Sequence, residues 1–383
     1  MQRYFHTFVI GAGASGLMAV SLLSKSQRQA TAIVDGNPRI GAKIAVSGGG
    51  RCNLCNECLG PERYRGDPAF LSAVFERYDQ RWLLDWFTRL GVATRMEKDR
   101  QYFCVEGAES VNRLFRKTLA PATVLLDEKV LSVSGTGPFR IETSRGSYRA
   151  DRVVVASGGL SYPRLGAGDI GLRIAEAYGH RIVRPAPALV GMTLQPEQFF
   201  FKGLSGVSLP VELRVAGRCF RDRLLFAHRG ISGPAVLNAS LWWEKGEIEI
   251  DFLPGFDRRL LRGDKKLSTL LPLPRRAARA FLAALKLPDR SARKLDTADR
   301  KRLSRLNAYH FAPAGTFGYA RAEVTRGGVA TDAVDPRTME SLLQPGLYFL
   351  GEVLDVTGEL GGFNFQWAFS SAAVCAEALG TKR

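Results

Sequence analysis

Long apolar runs are missing from this chain: no stretch approaches the ~18 to 20 uninterrupted apolar residues of a membrane-spanning helix. A helical membrane protein is therefore not expected. The apolar opening at residues 7–23 is broken by glycines where a strand would turn into a helix, and no small-residue cleavage site follows it. It reads as folded structure rather than a secretory signal, and the expected compartment is the cytoplasm. Cysteine is sparse, with six residues, three of them crowded at Cys52, Cys55 and Cys58, unlike the even framework of a secreted disulfide scaffold. That C-x2-C-x2-C run mimics an iron–sulfur ligand set, but the fourth cysteine is not nearby, since Cys104 is far along the chain and no Cys-Pro pair follows, so no metal is expected. Histidine is scarcer still, at four.

Acidic charge is also in deficit. There are 37 Asp and Glu against 54 Lys and Arg, a formal net charge of +17, which invites a polyanionic partner. The excess is concentrated: residues 257–310 carry sixteen Lys or Arg against five Asp. What is present is ample material for a core. With 383 residues, 45% hydrophobic and 24% charged, the chain is long and apolar enough for two or three globular domains, which excludes a disordered protein or a lone small module.

Residues 5–10 read as a strand running into Gly11-Ala12-Gly13-Ala14-Ser15-Gly16, then an apolar helical stretch from 17 to about 26, then a second strand at 31–34 ending in Asp35. Glycines at these offsets permit a tight turn, a close approach of backbone to a pyrophosphate, and close helix–strand packing, while the helix N-terminus offers free N–H groups. An acid about twenty residues on binds ribose hydroxyls. Strand, glycine turn, helix and acid together predict a dinucleotide site. A second G-x-G-x-x-G, Gly166 to Gly171, follows no adjacent strand, has Pro163 before it, and leads to a strand at 180–183 ending in Arg184-Pro185 rather than an acid. It reads as a loop and helix start flanking the first site.

Helical spacing recurs over 68–90 and 108–119, a hairpin turn is expected near Arg145-Gly146-Ser147, and a buried strand at 152–156 ends in Ser157-Gly158-Gly159. Composition changes near Pro185-Ala186-Pro187; beyond it short alternating strands, 211–215 and 247–252, bracket Gly230-Ile231-Ser232-Gly233-Pro234, where Ser232 is the expected helix N-cap. The basic stretch 258–306 is expected to be helical, and a final strand at 347–350 and an apolar helix return to the first domain.

Ser47-Gly48-Gly49-Gly50-Arg51-Cys52-Asn53, Gly351-Glu352-Val353-Leu354-Asp355 and Gly361-Gly362-Phe363-Asn364 carry a resemblance, supported by Ser161-Tyr162-Pro163, Ser232-Gly233-Pro234 and the 323–329 run Glu-Val-Thr-Arg-Gly-Gly-Val. Over nearly its whole length the sequence resembles the BaiN/RdsA (YhiN-like) family of NAD(P)/FAD-dependent oxidoreductases, relatives of aminoacetone-oxidase-type flavoproteins. Ala42, Ser157 and Cys55 stand where the family's pattern has a basic residue, a threonine, and a serine or threonine.

The resemblance implies an α/β fold: a Rossmann-like FAD-binding domain, a parallel sheet with a β-meander, interrupted by an insert domain with a small β-barrel-like part and a basic helical part. The expected extents are 1–188 and 318–383 for the FAD domain and 189–317 for the insert. It implies FAD, with NAD(P)H as a transient electron donor. Carried onto this chain, the cofactor-binding residues are Gly11, Gly13, Ala14, Ser15, Gly16, Asp35, Gly36, Lys43, Ser47, Gly48, Gly50, Arg51, Cys52, Asn53, Ala156, Ser157, Gly158, Gly351, Glu352, Gly361, Gly362, Phe363 and Asn364. A helix following Gly361-Gly362 would stabilise negative charge on the flavin pyrimidine edge. Candidate catalytic residues are Cys52, as a proton donor or redox partner or else a small residue packed under the cofactor; Tyr162, closing over the flavin or holding a turn; and His228, near the Ser232 turn, as an acid or substrate contact. The family's substrates are a uridine in ribosomal RNA reduced to dihydrouridine, a small-molecule C=C bond, or a small amine that is oxidised. The charge of 257–310 favours RNA over a small-molecule substrate. A flavin-binding RNA scaffold without turnover is the reading from another class.

Overall fold

The computed structural model describes residues 3–380. Two compact units divide the chain: one runs to Ala186 and resumes at Val324, and Pro187–Glu323 forms the other.

The first unit is built on a mixed sheet. Its strand order is Thr123–Leu125, Thr31–Val34, Arg3–Ile10, Gly146–Val155, Phe139–Thr143, Val130–Ser134, with Leu347–Phe349 also on Gly146–Val155. Arg3–Ile10 is parallel to both neighbours, with Val9 opposite Ile33 on one side and Val154 on the other. The long strand Gly146–Val155 does two jobs. Its first half is the antiparallel arm of the meander, Tyr148 facing Ile141, and its second half is a central parallel strand, Val154 facing Tyr348. Val153, Val154 and Val155 are wholly buried, as a sheet covered on both faces requires. This is the Rossmann-like α/β architecture expected for the main domain.

Two helices, Pro68–Phe75 and Gln80–Arg89, replace the single periodic stretch expected over 68–90, because the Asp79 carboxylate accepts the Trp82 N–H at 2.8 Å and starts a second helix. A small antiparallel sheet sets Asn53–Asn56 against Gln101–Cys104, which also pairs with Thr94–Met96. The C-terminal helix Phe363–Gly380 is buried through most of its length, with Trp367 enclosed in its second turn.

The second unit is a seven-stranded antiparallel sheet ordered Tyr309–Phe311, Ile248–Asp251, Ser208–Val215, Arg218–Ala227, Gly230–Ser232, Met192–Thr193, Gly315–Thr316. Its core is a cluster of phenylalanines, Phe252 lying 4.6 Å from Phe281 and Phe201 4.9 Å from Phe226 between ring centres. The expected N-cap Ser232 is instead the last residue of a strand. The helix Pro234–Trp242 is capped by Gly233 at φ +90°, where a Cβ would lie 2.7 Å from the Arg223 carbonyl oxygen. The basic stretch is not one helix but three short ones, Leu267–Leu270, Arg275–Ala284 and Thr297–Ser304, interrupted by Gly263, Pro272, Pro274 and Pro288. Among the described residues no helix is long and apolar enough to cross a membrane.

Candidate dinucleotide site

Three strand ends meet at the first glycine turn. Gly11 N–H donates to the Val34 carbonyl and Ala156 N–H to the Ile10 carbonyl, both at 2.8 Å. The three glycines then differ. A Cβ on Gly11, which has φ +107°, would overlap the Ala156 carbonyl oxygen, and one on Gly16 would overlap the Gly11 carbonyl oxygen, whereas one on Gly13 would meet nothing within 4 Å. Gly11 and Gly16 let backbone pack on backbone. Gly13 opens onto free space at the N-terminus of the helix Ala14–Leu22, and its cap has no side-chain partner for the first-turn N–H groups.

Asp35 closes this turn. One carboxylate oxygen accepts the Ala12 N–H at 2.8 Å, and the other accepts the Asn37 N–H and side-chain amide at 2.9 and 2.8 Å. A carboxylate offers about four lone-pair sites, so one acceptor position remains for a hydroxyl donor. Asn37 also donates to the Leu165 carbonyl at 2.9 Å, tying the second glycine motif to the first. Gly36 lies against the Lys129 side chain.

The Ser47–Gly50 turn carries Gly48, Gly49 and Gly50 at φ +55°, +68° and +88°. A Cβ on Gly49 would meet nothing, so this backbone too faces open space. Arg51 beyond it is exposed, its guanidinium 4.4 Å from the Phe103 ring centre and 3.1 Å from Glu97. Cys52, at φ +55°, is fully buried. It stands across the ladder from Cys104, whose N–H donates to the Cys52 carbonyl at 3.1 Å. A hydrogen bond to Cys52, reinforced by burial, pushes the Cys104 thiol far above its usual range, and burial does the same to Cys55. Cys58 is half-buried, with the Arg100 guanidinium 3.8 Å from its sulfur. Among the described residues no three His, Cys, Asp or Glu side chains converge to hold a metal ion.

Strand Asn53–Asn56 anchors the start of the last helix. Gly362, at φ +97°, packs so closely that a Cβ would lie 2.7 Å from the Cys55 carbonyl oxygen. With its amide oxygen turned inward, Asn53 accepts the Gly362 N–H at 3.2 Å. Asn56 donates to the Gly361 carbonyl at 3.1 Å, Tyr64 to the Phe363 carbonyl at 2.8 Å, and Asn364 exchanges two 2.9 Å bonds with the Gly358 backbone. The helix N-terminus is fixed in place by side chains from two other segments.

A further network joins the remaining segments. Lys43 Nζ lies 2.7 Å from Glu352 and 5.6 Å from the centre of the Tyr162 ring. Glu352 accepts the Thr325 N–H at 2.9 Å, and the Thr325 hydroxyl oxygen in turn accepts the Leu160 and Ser161 N–H groups at 2.8 and 3.0 Å. Gly351 packs on Ser15, so the Gly351-Glu352 turn touches the first glycine helix. Ser157 Oγ is buried without a partner among the described residues, and Gly158, at φ +73°, faces open space.

Of the candidate acids, Tyr162 stands at φ +63° with its ring against Lys43, Cys52 is enclosed against Cys104, and His228 is exposed in the turn after Arg218–Ala227 in the second unit. Asn37 and Thr325 were not among the site residues expected from the sequence. Thr325 stood inside the 323–329 run but had no signal beyond it, and Asn37 had only its place two residues after Asp35. Asp355, in the run after Gly351, is largely enclosed; burial pushes its carboxyl up, and one oxygen has no partner among the described residues.

Parallel strands, a glycine turn opening onto a helix N-terminus, and an acid at the end of the next strand define a dinucleotide-binding α/β protein of the Rossmann-like class. A family described as "HI0933-like protein Rossmann domain" matches residues 5–378. The chain belongs to that family. It is 37% identical over 396 residues to a ribosomal RNA dihydrouridine synthase of Haemophilus influenzae, covering 98% of each chain. It is 30% identical over 408 residues to a 3-dehydro-bile acid delta(4,6)-reductase of Clostridium scindens, covering 97% of this chain and 98% of the other. In fold it is similar to a 3-ketosteroid-delta4-(5alpha)-dehydrogenase from Rhodococcus jostii, with a TM-score of 0.53 at 12% identity over 99% of this chain and 97% of the other.

Proposed function

We propose that this chain is an FAD-dependent reductase that converts a uridine of ribosomal RNA to dihydrouridine in the cytoplasm, with NAD(P)H as the electron donor. One observation carries this reading: the open backbone cradle at Gly13, Gly49 and Gly158 lies in a chain 37% identical, from end to end, to a ribosomal RNA dihydrouridine synthase. The cradle fits FAD. Gly13 and the helix Ala14–Leu22 would take the pyrophosphate, the remaining acceptor position of Asp35 a ribose hydroxyl, the 47–53 turn and the 156–158 turn the ribityl and ring, and the helix behind Gly361-Gly362 the pyrimidine edge.

Bound flavin would supply a hydride to C6 of the C5=C6 bond of uracil. The protein must then deliver a proton to C5. We assign this to Tyr162, because its ring lies against Lys43, which is itself paired with Glu352, whereas Cys52 is sealed against Cys104. The unneutralised charge of 257–310 would hold RNA phosphates.

The test is anaerobic incubation of dithionite-reduced protein with ribosomal RNA lacking its modifications, followed by nucleoside mass analysis. Dihydrouridine is the expected product, from a yellow protein holding one FAD per chain, and Tyr162→Phe should lose turnover while keeping its flavin. A colourless protein that cannot be reconstituted ends the flavin assignment. Reduction of a small enone without any dihydrouridine would move the substrate to a small-molecule C=C bond, and peroxide release with an amine would make the chain an oxidase.

A further inference from the structure

Three consecutive phenylalanines in the second unit have three different fates. In the segment Pro196–Leu204, Phe201 is wholly buried among the core rings and Phe200 packs 6.0 Å from Phe281, but Phe199 stays 47% exposed, with Lys202 Nζ 3.5 Å from its ring centre. The core does not need that third ring. Through Phe200 and Phe201 this segment packs on the helix Arg275–Ala284, whose Ala277, Ala278, Phe281 and Leu282 face inward and whose Arg275, Arg276 and Arg279 face solvent. Arg275 and Arg279 are one turn apart and Arg276 stands beside them, so three guanidinium groups share one face.

The charge on this face is not neutralised from within. All five carboxylates of 257–310 are already engaged: Asp257 with Arg259 at 3.0 Å, Asp264 with Arg293 at 3.2 Å, Asp289 with the Ser268 N–H at 2.9 Å, Asp296 with the Asp299 N–H at 2.7 Å as a helix cap, and buried Asp299 with Arg290 and Arg302. Arg279 comes only within 4.0 Å of Asp289, and Arg275 and Arg276 reach no carboxylate among the described residues. In the segment Pro196–Leu204 the single acid is Glu197.

We propose that Phe199 and Lys202, together with the Arg275, Arg276 and Arg279 face, form a platform for a single-stranded stretch of RNA, an unpaired base stacking on Phe199 while the cations take successive phosphates. An exposed aromatic ring with a cation over it, on a segment packed against a helix whose solvent face carries three more cations, is the combination that binds unpaired nucleic acid, since every base has a face to stack and every linkage a charge. A duplex would engage the cations and leave the ring unused. The platform rests on the reading of RNA as substrate and specifies which part of an RNA this chain would grip.

The experiment measures affinity of the full flavin-loaded chain for a single-stranded oligoribonucleotide across a salt series. Phe199→Ala and Phe199→Leu should both weaken binding by roughly five- to a hundredfold, the loss of one stacked base, with the salt slope unchanged. The charge-neutral triple Arg275→Gln, Arg276→Gln, Arg279→Gln should flatten the slope by about 2, three contacts at ~0.7 each. Glu197→Gln should tighten binding. All these positions are exposed, and flavin absorbance with the melting temperature checks that each variant is folded. Wild-type affinity and slope in both the Phe199 and the triple variants overturn the platform. So does equal binding of wild type and both Phe199 variants to RNA alongside tight, triple-sensitive binding to anionic phosphatidylglycerol vesicles, which makes the face a lipid contact. RNA gripped through these residues with no dihydrouridine formed by the wild type supports the platform and removes the uridine reduction instead.

Discussion

Gly11 to Gly16 and Gly166 to Gly171 have the same G-x-G-x-x-G spacing, yet the fold uses them differently. In the first, the outer glycines carry backbone-on-backbone contacts and the middle one opens onto the N-terminus of a helix directly after a parallel strand. In the second, Gly166 follows a short 3-10 turn at φ +84° and lies against the Asn37 side chain, while Gly171 presses on Ser157 from within the helix Ile170–Ala177. No strand leads into it. Spacing makes a turn possible; only the strand before it, and the acid after the next strand, turn it into an anion site. The second motif serves the first, because Asn37 links the Leu165 carbonyl to Asp35.

Substitutions at the paired positions separate the two roles. Gly13→Val has the largest expected effect on the cofactor: its φ of −88° suits a valine and nothing crowds it, so the fold should persist while FAD affinity falls by at least about a hundredfold, roughly 2.7 kcal/mol. Gly168, at the corresponding place in the second motif, is equally uncrowded, and Gly168→Val should leave FAD binding within about threefold of wild type, well under 1 kcal/mol. Gly16→Val should instead cost ~1–3 kcal/mol of stability or more, because it drives side chain into backbone. Flavin titration and thermal melts on the three variants measure both quantities. Equal loss of flavin from Gly13→Val and Gly168→Val would erase the distinction.

Much of the first site was legible because glycine is the only residue that answers certain backbone demands, and those demands sit next to one another in sequence. The strand expected at 31–34 is Thr31–Val34, and Asp35 stands at its end as anticipated. Other features left no trace because their partners are remote. Thr325 bonds Leu160 and Ser161 across 165 and 164 positions, through a hydroxyl that any surface threonine would also show. The break between the helices at 68–75 and 80–89 was hidden because Trp82, Leu83 and Phe87 continue the apolar period past Asp79. A strand that is antiparallel in one half and parallel in the other, Gly146–Val155, has no pattern that announces both partners. Charge was legible as composition, but the five carboxylates' internal engagements, which leave Arg275 and Arg276 unneutralised, were not.

Thr325 tests how the second motif's neighbourhood holds the cradle. Thr325→Val keeps shape and volume, and keeps the backbone N–H that Glu352 accepts, but it removes the acceptor for the buried Ser161 N–H and the half-buried Leu160 N–H. The expected cost is about 1–3 kcal/mol of stability together with weaker FAD binding, and Thr325→Ser should recover most of both. If Thr325→Val melts and binds flavin as the wild type does, the hydroxyl is not what holds the 158–162 turn.

The smallest expected effect concerns the far end of the second motif's helix, where His180 N–H donates to the Ala175 carbonyl at 3.0 Å and the ring is enclosed between Ser341, 2.7 Å from Nε2, and the Phe349 ring at 4.8 Å. Nδ1 has no partner among the described residues, so a proton gained there would be a charge taken into the core without compensation. Burial accordingly lowers the His180 pKa, against a weaker opposing pull from Asp332. The unfolded chain then binds a proton near pH 6.5 that the native state refuses, so the contribution of His180 to stability is complete above about pH 6.5 and is lost as pH falls from there toward the lowered folded value. Urea unfolding at pH 7.5 and 5.5 should show wild type weakening at the lower pH by more than His180→Gln does, whatever the variant's own starting stability, while the flavin content of the wild type stays constant over the same range. An identical pH dependence in the two proteins would mean that His180 is reached by solvent in the folded state and that the end of this helix is not sealed.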